Sequence, residues 1–222
     1  MPRIAEVRAP AEPSSPEQRA RHLRILRAAA RMGAEKGLER VQMHEVAKEA
    51  GVAIATLYRY FPSKTHLFTA VMAEQIDRFE ESLPQPEPGT APEDAVADVL
   101  VLASRQLLRR PALAAAMLQS ANAANAAANP VADTGRIDRT FRQIVLRTLG
   151  IREPTVMDVT LIRLLMQCWH GVLQSSLNGL SSVPDTESDI RIACRLLLAP
   201  RSNAAAGPAP VLTARVRRSA RR

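Results

Sequence analysis

The residues best suited to chemistry cluster between Ile54 and Lys64. Ala55 is small enough to let a helix backbone approach the floor of a DNA major groove. Thr56, Tyr58, Tyr60 and Lys64 carry hydroxyl or ammonium donors that suit phosphate oxygens, and Arg59 carries a planar fork that matches them. Ile54, Ala55 and the Tyr58 ring can touch thymine methyls. Both tyrosines of the chain fall in this one stretch, although aromatics make up only 3% of the sequence. The competing assignment puts Tyr58, Tyr60 and Phe61 in a core and leaves Arg59 as a solvated charge.

Positioning such residues takes two short helices and a tight turn. Met43, Val46, Ala47 and Ala50 recur at i, i+3, i+4 and i+7, one apolar stripe on a short helix. Gly51 stops it, because glycine takes the left-handed cap conformation without steric cost. A second helix follows, with Leu57 and Phe61 on its inner side and Tyr58, Arg59 and Tyr60 turned elsewhere. Pro62 closes it, since proline cannot donate to a helix and disfavours a helical residue before it. Helix, glycine turn and helix form a helix-turn-helix pattern. Gln42 stands at the first helix's cap and caps poorly, but its amide can donate to a phosphate.

The run from Gly51-Val52 through Thr56-Leu57-Tyr58-Arg59-Tyr60-Phe61-Pro62-Ser63-Lys64 resembles the signature of the TetR family of bacterial transcription regulators, a likeness that extends over about residues 18–80. Val41-Gln42-Met43 and the repeated Val-Ala pairs look most like the actinobacterial repressors of steroid and cholesterol catabolism. The resemblance implies base contacts from His44, Ile54, Ala55 and Tyr58, and phosphate contacts from Thr56, Arg59, Tyr60 and Lys64. It also implies a homodimer joined through its last two helices. The partner is then a palindromic double-stranded operator, released when an inducer fills the helical body.

The rest of the chain fits an all-α protein. Residues 1–14 lack periodicity and read as a disordered arm, whose Arg3 and Arg8 are candidates to hold DNA together with Arg19 and Arg21. Residues 15–62 form the DNA-binding head, opened by a Ser15-Pro16-Glu17-Gln18 capping box, with a first helix ending at Gly37. Residues 63–83 form a connecting helix, and Pro84 to Thr90 breaks the pattern. Residues 84–199 hold five helices of a ligand-binding and dimerisation body. Their expected starts lie at a Thr90–Glu93 capping box, Pro111, Asp133, Pro154 and Ser182. The low-complexity run Asn122–Pro130 is either a helix continuation or a loop. Residues 200–222 read as a disordered basic tail.

That tail matters for the charge. Six arginines and no acid lie in residues 200–222, so most of the formal +8 sits outside the folded part. Cys168 and Cys194 lie in apolar helical runs and behave as small hydrophobes in a reducing cytoplasm. No signal peptide and no apolar run of membrane-spanning length is evident, so a cytoplasmic, nucleoid-associated protein with no membrane partner is expected. For the inducer, Met117, Phe141, Met166 and Trp169 are candidates to line an apolar cavity. Gln119, Asn122, His170 and Gln174 would supply its polar groups. The resemblance and the scarcity of acids there favour a lipophilic ligand, a steroid or an acyl-CoA.

Enzymatic chemistry finds little footing. Cys168 and His170 stand two apart, which points them away from each other on a helix. The sequence holds no nucleophile elbow, phosphate-binding glycine loop or metal-spaced cluster, and no cofactor is expected. The other readings are a sequence-blind nucleoid-type DNA binder that uses the basic tail, and a repressor of a drug-efflux gene.

Overall fold

The computed structural model describes residues 10–126 and 132–198. Among these the regular secondary structure is all helix. The head holds α1 (Pro16–Arg40), α2 (Met43–Glu49) and α3 (Ile54–Tyr60), and α4 (Lys64–Glu81) leads out of it. The body adds α5 (Pro92–Leu108), α6 (Pro111–Ala126), α7 (Ala132–Thr148), α8 (Val156–Leu177) and α9 (Val183–Leu198). The expected arginine tail, together with Arg3 and Arg8 of the arm, lies outside the described residues.

Local chemistry sets the helix ends. Ser15 accepts from the Gln18 amide and Pro16 occupies the first turn of α1. Gln18 Oε1 reaches one residue past the expected partner, taking the Ser14 amide at 2.9 Å. Gly37, at φ 72°, breaks the helix as expected, and a further turn beyond this kink carries α1 on to Arg40. The expected Thr90 box is absent: Ala91 is the cap of α5 and makes no side-chain bond. Thr155, rather than Pro154, opens α8 through a reciprocal box with Asp158. Ser182 and Asp185 exchange the same pair of bonds at the start of α9. α6 continues through Asn122 and Asn125 to Ala126, which answers half of the low-complexity run with helix.

Two apolar cores result, and α4 and α6 belong to both. Leu67, Phe68, Ala70 and Val71 of α4 join Ile25, Ala29, Val46 and Leu57 in the head. Ala73, Ile76 and Phe79, further along the same helix, join Leu100, Ile144, Ile162 and Leu165 in the body. On α6, Leu113, Ala116 and Met117 pack into the head core while Leu118 packs into the body core. The fit of α1 against these two helices is close at Gly33. A Cβ there would stand 2.6 Å from Phe68 Cε1 and 3.2 Å from Leu113 Cδ1. Gly33 therefore faces α4 and α6.

The seam between α5 and α9 carries a ladder of ion pairs: Arg105–Glu187 at 2.6 Å, Arg191–Asp98 at 2.8 Å and Arg195–Asp94 at 3.1 Å. All are solvent-facing, so they fix register more than they stabilise. α8 has the length and hydropathy of a membrane-crossing helix, which was not expected from the sequence. Its inner side, through Ile162, Leu165, Trp169 and Leu173, is built into the body core. An outer side left apolar on such a helix asks for a protein partner.

Candidate nucleic-acid interface and ligand cavity

In the head, Gly51 at φ 65° turns the chain between α2 and α3. The Val52 amide closes the turn on Ala47 O at 3.0 Å. Arg24 of α1 braces it, its Nε donating to Ala50 O at 3.4 Å. Gln42 makes no capping bond at the start of α2, in keeping with its length. The turn presents one continuous outer surface. Gln42, His44, Ala55 and Arg59 are exposed, Ile54 and Tyr58 are 41% and 47% exposed, and Thr56 is half-buried.

Two predicted contacts are placed otherwise. Tyr60 is only 3% exposed. Leu57, Tyr60 and Phe61 recur at i, i+3 and i+4, so the inner stripe of α3 takes the second tyrosine as well as Phe61. The Tyr60 ring stands edge-on to His22 at 5.6 Å, and its hydroxyl accepts from Arg59 Nη2 at 3.4 Å. Lys64 turns inward too. Its ammonium donates to Leu38 O at 3.0 Å and Glu39 O at 3.2 Å, satisfying carbonyls in the last turn of α1. Tyr60 thus packs α3 against the head core, and Lys64 ties the start of α4 to the end of α1.

The end of the expected arm is docked on the head. Ala11 packs against the head core and its amide donates to Arg59 O at 3.0 Å. That carbonyl lies in the last turn of α3, where it has no partner within the helix. Nothing in the aperiodic residues 10–14 signals this strap.

Two histidines, one in the head and one at the start of α4, resist protonation. Burial pushes the His22 imidazole below the ordinary histidine range, against a smaller opposing pull from Asp133. Burial does the same to His66. The His66 Nδ1 lies 2.8 Å from the Ser63 hydroxyl, which also accepts the His66 amide at the cap of α4.

The body encloses two adjoining cavities. The first, of about 300 Å³, lies among α4, α5, α6, α7 and α8, with Ile76, Phe79, Leu107 and Met117 in its apolar wall and Gln75, Gln106, Arg109 and Arg110 at its polar side. The second, of about 630 Å³, is lined by Asn122, Asn125, Ile137, Ile162, Met166 and His170, with Asp138, Arg142 and Arg163 beside them. Met72, Leu118, Phe141 and Trp169 border both. Phe141 and Trp169 stand 5.2 Å apart between their ring centres. Trp169 is fixed by its Nε1–H donating to Ser104 Oγ at 2.8 Å, and that hydroxyl donates to Leu100 O at 2.8 Å.

Six of the eight residues predicted for a cavity therefore line one: Met117, Asn122, Phe141, Met166, Trp169 and His170. Gln119 and Gln174 do not. Gln119 lies two residues past Met117 and is exposed on the far side of α6. Gln174 follows the cavity-lining Leu173 but donates to Asn178 Oδ1 at 3.4 Å at the end of α8. Arg142 and Arg163 were missed, although Val159, Arg163, Met166 and His170 recur along one face of α8.

Known proteins share this architecture. Residues 25–71 match the model of the bacterial regulatory proteins of the tetR family, and residues 89–197 match the tetracyclin repressor-like C-terminal domain. The HTH-type transcriptional repressor KstR of Rhodococcus jostii is 32% identical over 83% of this chain and 86% of its own length. KstR of Mycobacterium tuberculosis is 30% identical over 89% of this chain and 90% of its own. The crystal structure of a TetR transcriptional regulator from Rhodococcus sp. RHA1 is 62% identical, superposes with a TM-score of 0.77, and covers 84% of this chain and 99% of that one. The chain belongs to the TetR family of bacterial transcription regulators.

Proposed function

We propose that the chain is a cytoplasmic, homodimeric repressor that leaves a palindromic operator when a small lipophilic inducer, of steroid or acyl-CoA type, fills the linked cavities of the body. The head (15–62), the connecting helix (63–83) and the body (84–199) are its working parts. Gln42, His44, Ile54, Ala55, Thr56, Tyr58 and Arg59 meet the DNA. The reading is carried by one observation: α4 and α6 each wall the first cavity and also supply side chains to the head core. A ligand that displaces either helix must move the surface that α2 and α3 present.

Two heads would read half-sites about 34–36 Å apart, or a multiple of that distance, as two-fold symmetry requires. A ligand that prefers the arrangement with displaced heads must weaken DNA binding by its own coupling factor. The names of the KstR relatives support repression as the sense of regulation. The resemblance of Val41-Gln42-Met43 to steroid-catabolism repressors supports a steroid-type inducer.

Fluorescence polarisation tests this directly. The duplex upstream of the chain's own gene is titrated beside a scrambled duplex over a salt series, and steroid and acyl-CoA ligands are then added. A preference of ~10³ or more for the first duplex, lost on adding a ligand, is the expected result. Equal and steeply salt-dependent affinity for both duplexes would instead favour a sequence-blind binder.

A further inference from the structure

A third recess lies where the head meets the body, and its chemistry differs from that of the cavities. It encloses about 200 Å³ between α1, α4 and the start of α6, over an apolar floor. Four arginines line it: Arg27 and Arg31 from α1, Arg78 from α4, and Arg110 at the start of α6. Glu74 is the one carboxylate in its wall, and it pairs with Arg78 at 2.7 Å. Arg31 pairs outward with Glu49 of α2 at 2.7 Å. Among the described residues, Arg27 and Arg110 make no ion pair, so two guanidinium groups face one crevice unmatched. The crevice adjoins the first cavity, since Gln75 and Arg110 border both.

We propose that this crevice seats the anionic end of an amphipathic inducer, a phosphate or carboxylate, whose apolar part lies in the adjoining cavity. The proposal rests on the body cavity being the inducer site. A guanidinium pair suits a phosphate or carboxylate because it offers several donors in fixed planes. The positions of the arginines give the anion a mechanical role. Arg27 belongs to a head helix and Arg110 to the turn between two body helices, so one anion held by both ties the head to the body at a set angle. An uncharged ligand of the same shape would fill the cavity without making that tie. The second cavity makes a poorer anion seat, because Asp138 stands there beside Arg142 and Arg163.

The test uses the full chain, with decyl phosphate and decanol as chain-matched probes below micellar concentration. Trp169 emission reports occupancy of the cavity. Wild type should bind decyl phosphate at least ~10-fold more tightly than decanol, the ratio expected for a charge-assisted hydrogen bond. Arg27→Gln should erase that ratio by weakening decyl phosphate alone, and it should also erase release of operator by decyl phosphate. Inorganic phosphate should compete with decyl phosphate and leave decanol untouched. Arg27 is exposed, and an unchanged thermal melt would show that the variant is folded.

Equal affinity of wild type for the two probes overturns the proposal while leaving the cavity as a ligand site. So does a ratio that survives Arg27→Gln and is lost in Arg163→Gln, which would put the anion at the second cavity. No response of Trp169 to either probe would sink the cavity reading as well.

Discussion

Tyr58 and Tyr60 are one residue type two positions apart, and the helix gives them opposite tasks. Tyr58 is 47% exposed and Tyr60 is 3% exposed. Tyr58→Ala should therefore weaken operator binding by about 1–3 kcal/mol and leave the melting temperature unchanged. Tyr60→Ala should lower the melting temperature, because it empties a site in the head core. A gel shift of wild-type strength from Tyr58→Ala would remove α3 from the interface. His22, packed on Tyr60 and Phe61, makes the head sensitive to acid. Its folded imidazole takes a proton less readily than the unfolded one, so below the ordinary histidine range near 6.5 the unfolded state holds more protons. Stability is then complete above that range and falls as pH drops through it towards the lower folded value. Melting curves between pH 5 and pH 8 should show the loss on the acid side, and it should shrink in His22→Phe. A variant with the same acid loss as wild type would clear His22 of the effect.

At the scale of elements, legibility followed the kind of interaction involved. Gly51 and Pro62 punctuate the chain through their own backbone chemistry, so the head's helix-turn-helix could be read directly. Tyr60 and Lys64 could not, because their roles depend on α1, distant in sequence: His22 receives the ring and Leu38 O receives the ammonium. The double allegiance of α6 was hidden for another reason. Its alanine-rich run has apolar residues over most of its circumference, so no periodicity marks which part meets the head and which meets the body. The arginines of the crevice carry no signal in the sequence, because they come from separate helices that meet only in the fold. The strap at Ala11 was equally silent, since a backbone amide leaves no trace in residue types. It yields a prediction at this scale. Ala11→Pro deletes the donor to Arg59 O and should free the last turn of α3. Operator affinity should fall, by an amount near the ~0.5–1.5 kcal/mol of one hydrogen bond, while affinity for scrambled DNA stays constant. Ala11→Gly, which keeps the amide, should behave like wild type; equal losses in both variants would tie the effect to the alanine methyl instead.

For the whole molecule the open question is what covers the outer side of α8 and α9. Met157 and Leu164 on α8 and Ile192 and Leu196 on α9 are all exposed, Leu196 by 73%. Apolar side chains repeated at helical spacing on two adjacent helices form a continuous patch, and such a patch on a folded protein marks an interface. A second copy satisfies it, and two-fold symmetry then sets the two heads as a palindromic operator requires. Leu196→Glu would place a carboxylate in that interface without a partner, which costs far more there than on a solvated surface. Sedimentation should show the variant as a monomer with unchanged helicity and greatly weakened operator binding. The cysteines supply an independent reading. Cys168 is exposed on the protomer, one turn along α8 from Leu164, whereas Cys194 is buried and its thiol is pushed up to about 12. A thiol reagent therefore reports on Cys168 alone. Dimerisation should shield it in wild type, and Leu196→Glu should make it react quickly. Rapid labelling of wild type at concentrations where it sediments as a dimer would mean that the copies meet through another face, and the spacing of the two heads would have to be derived afresh from that face.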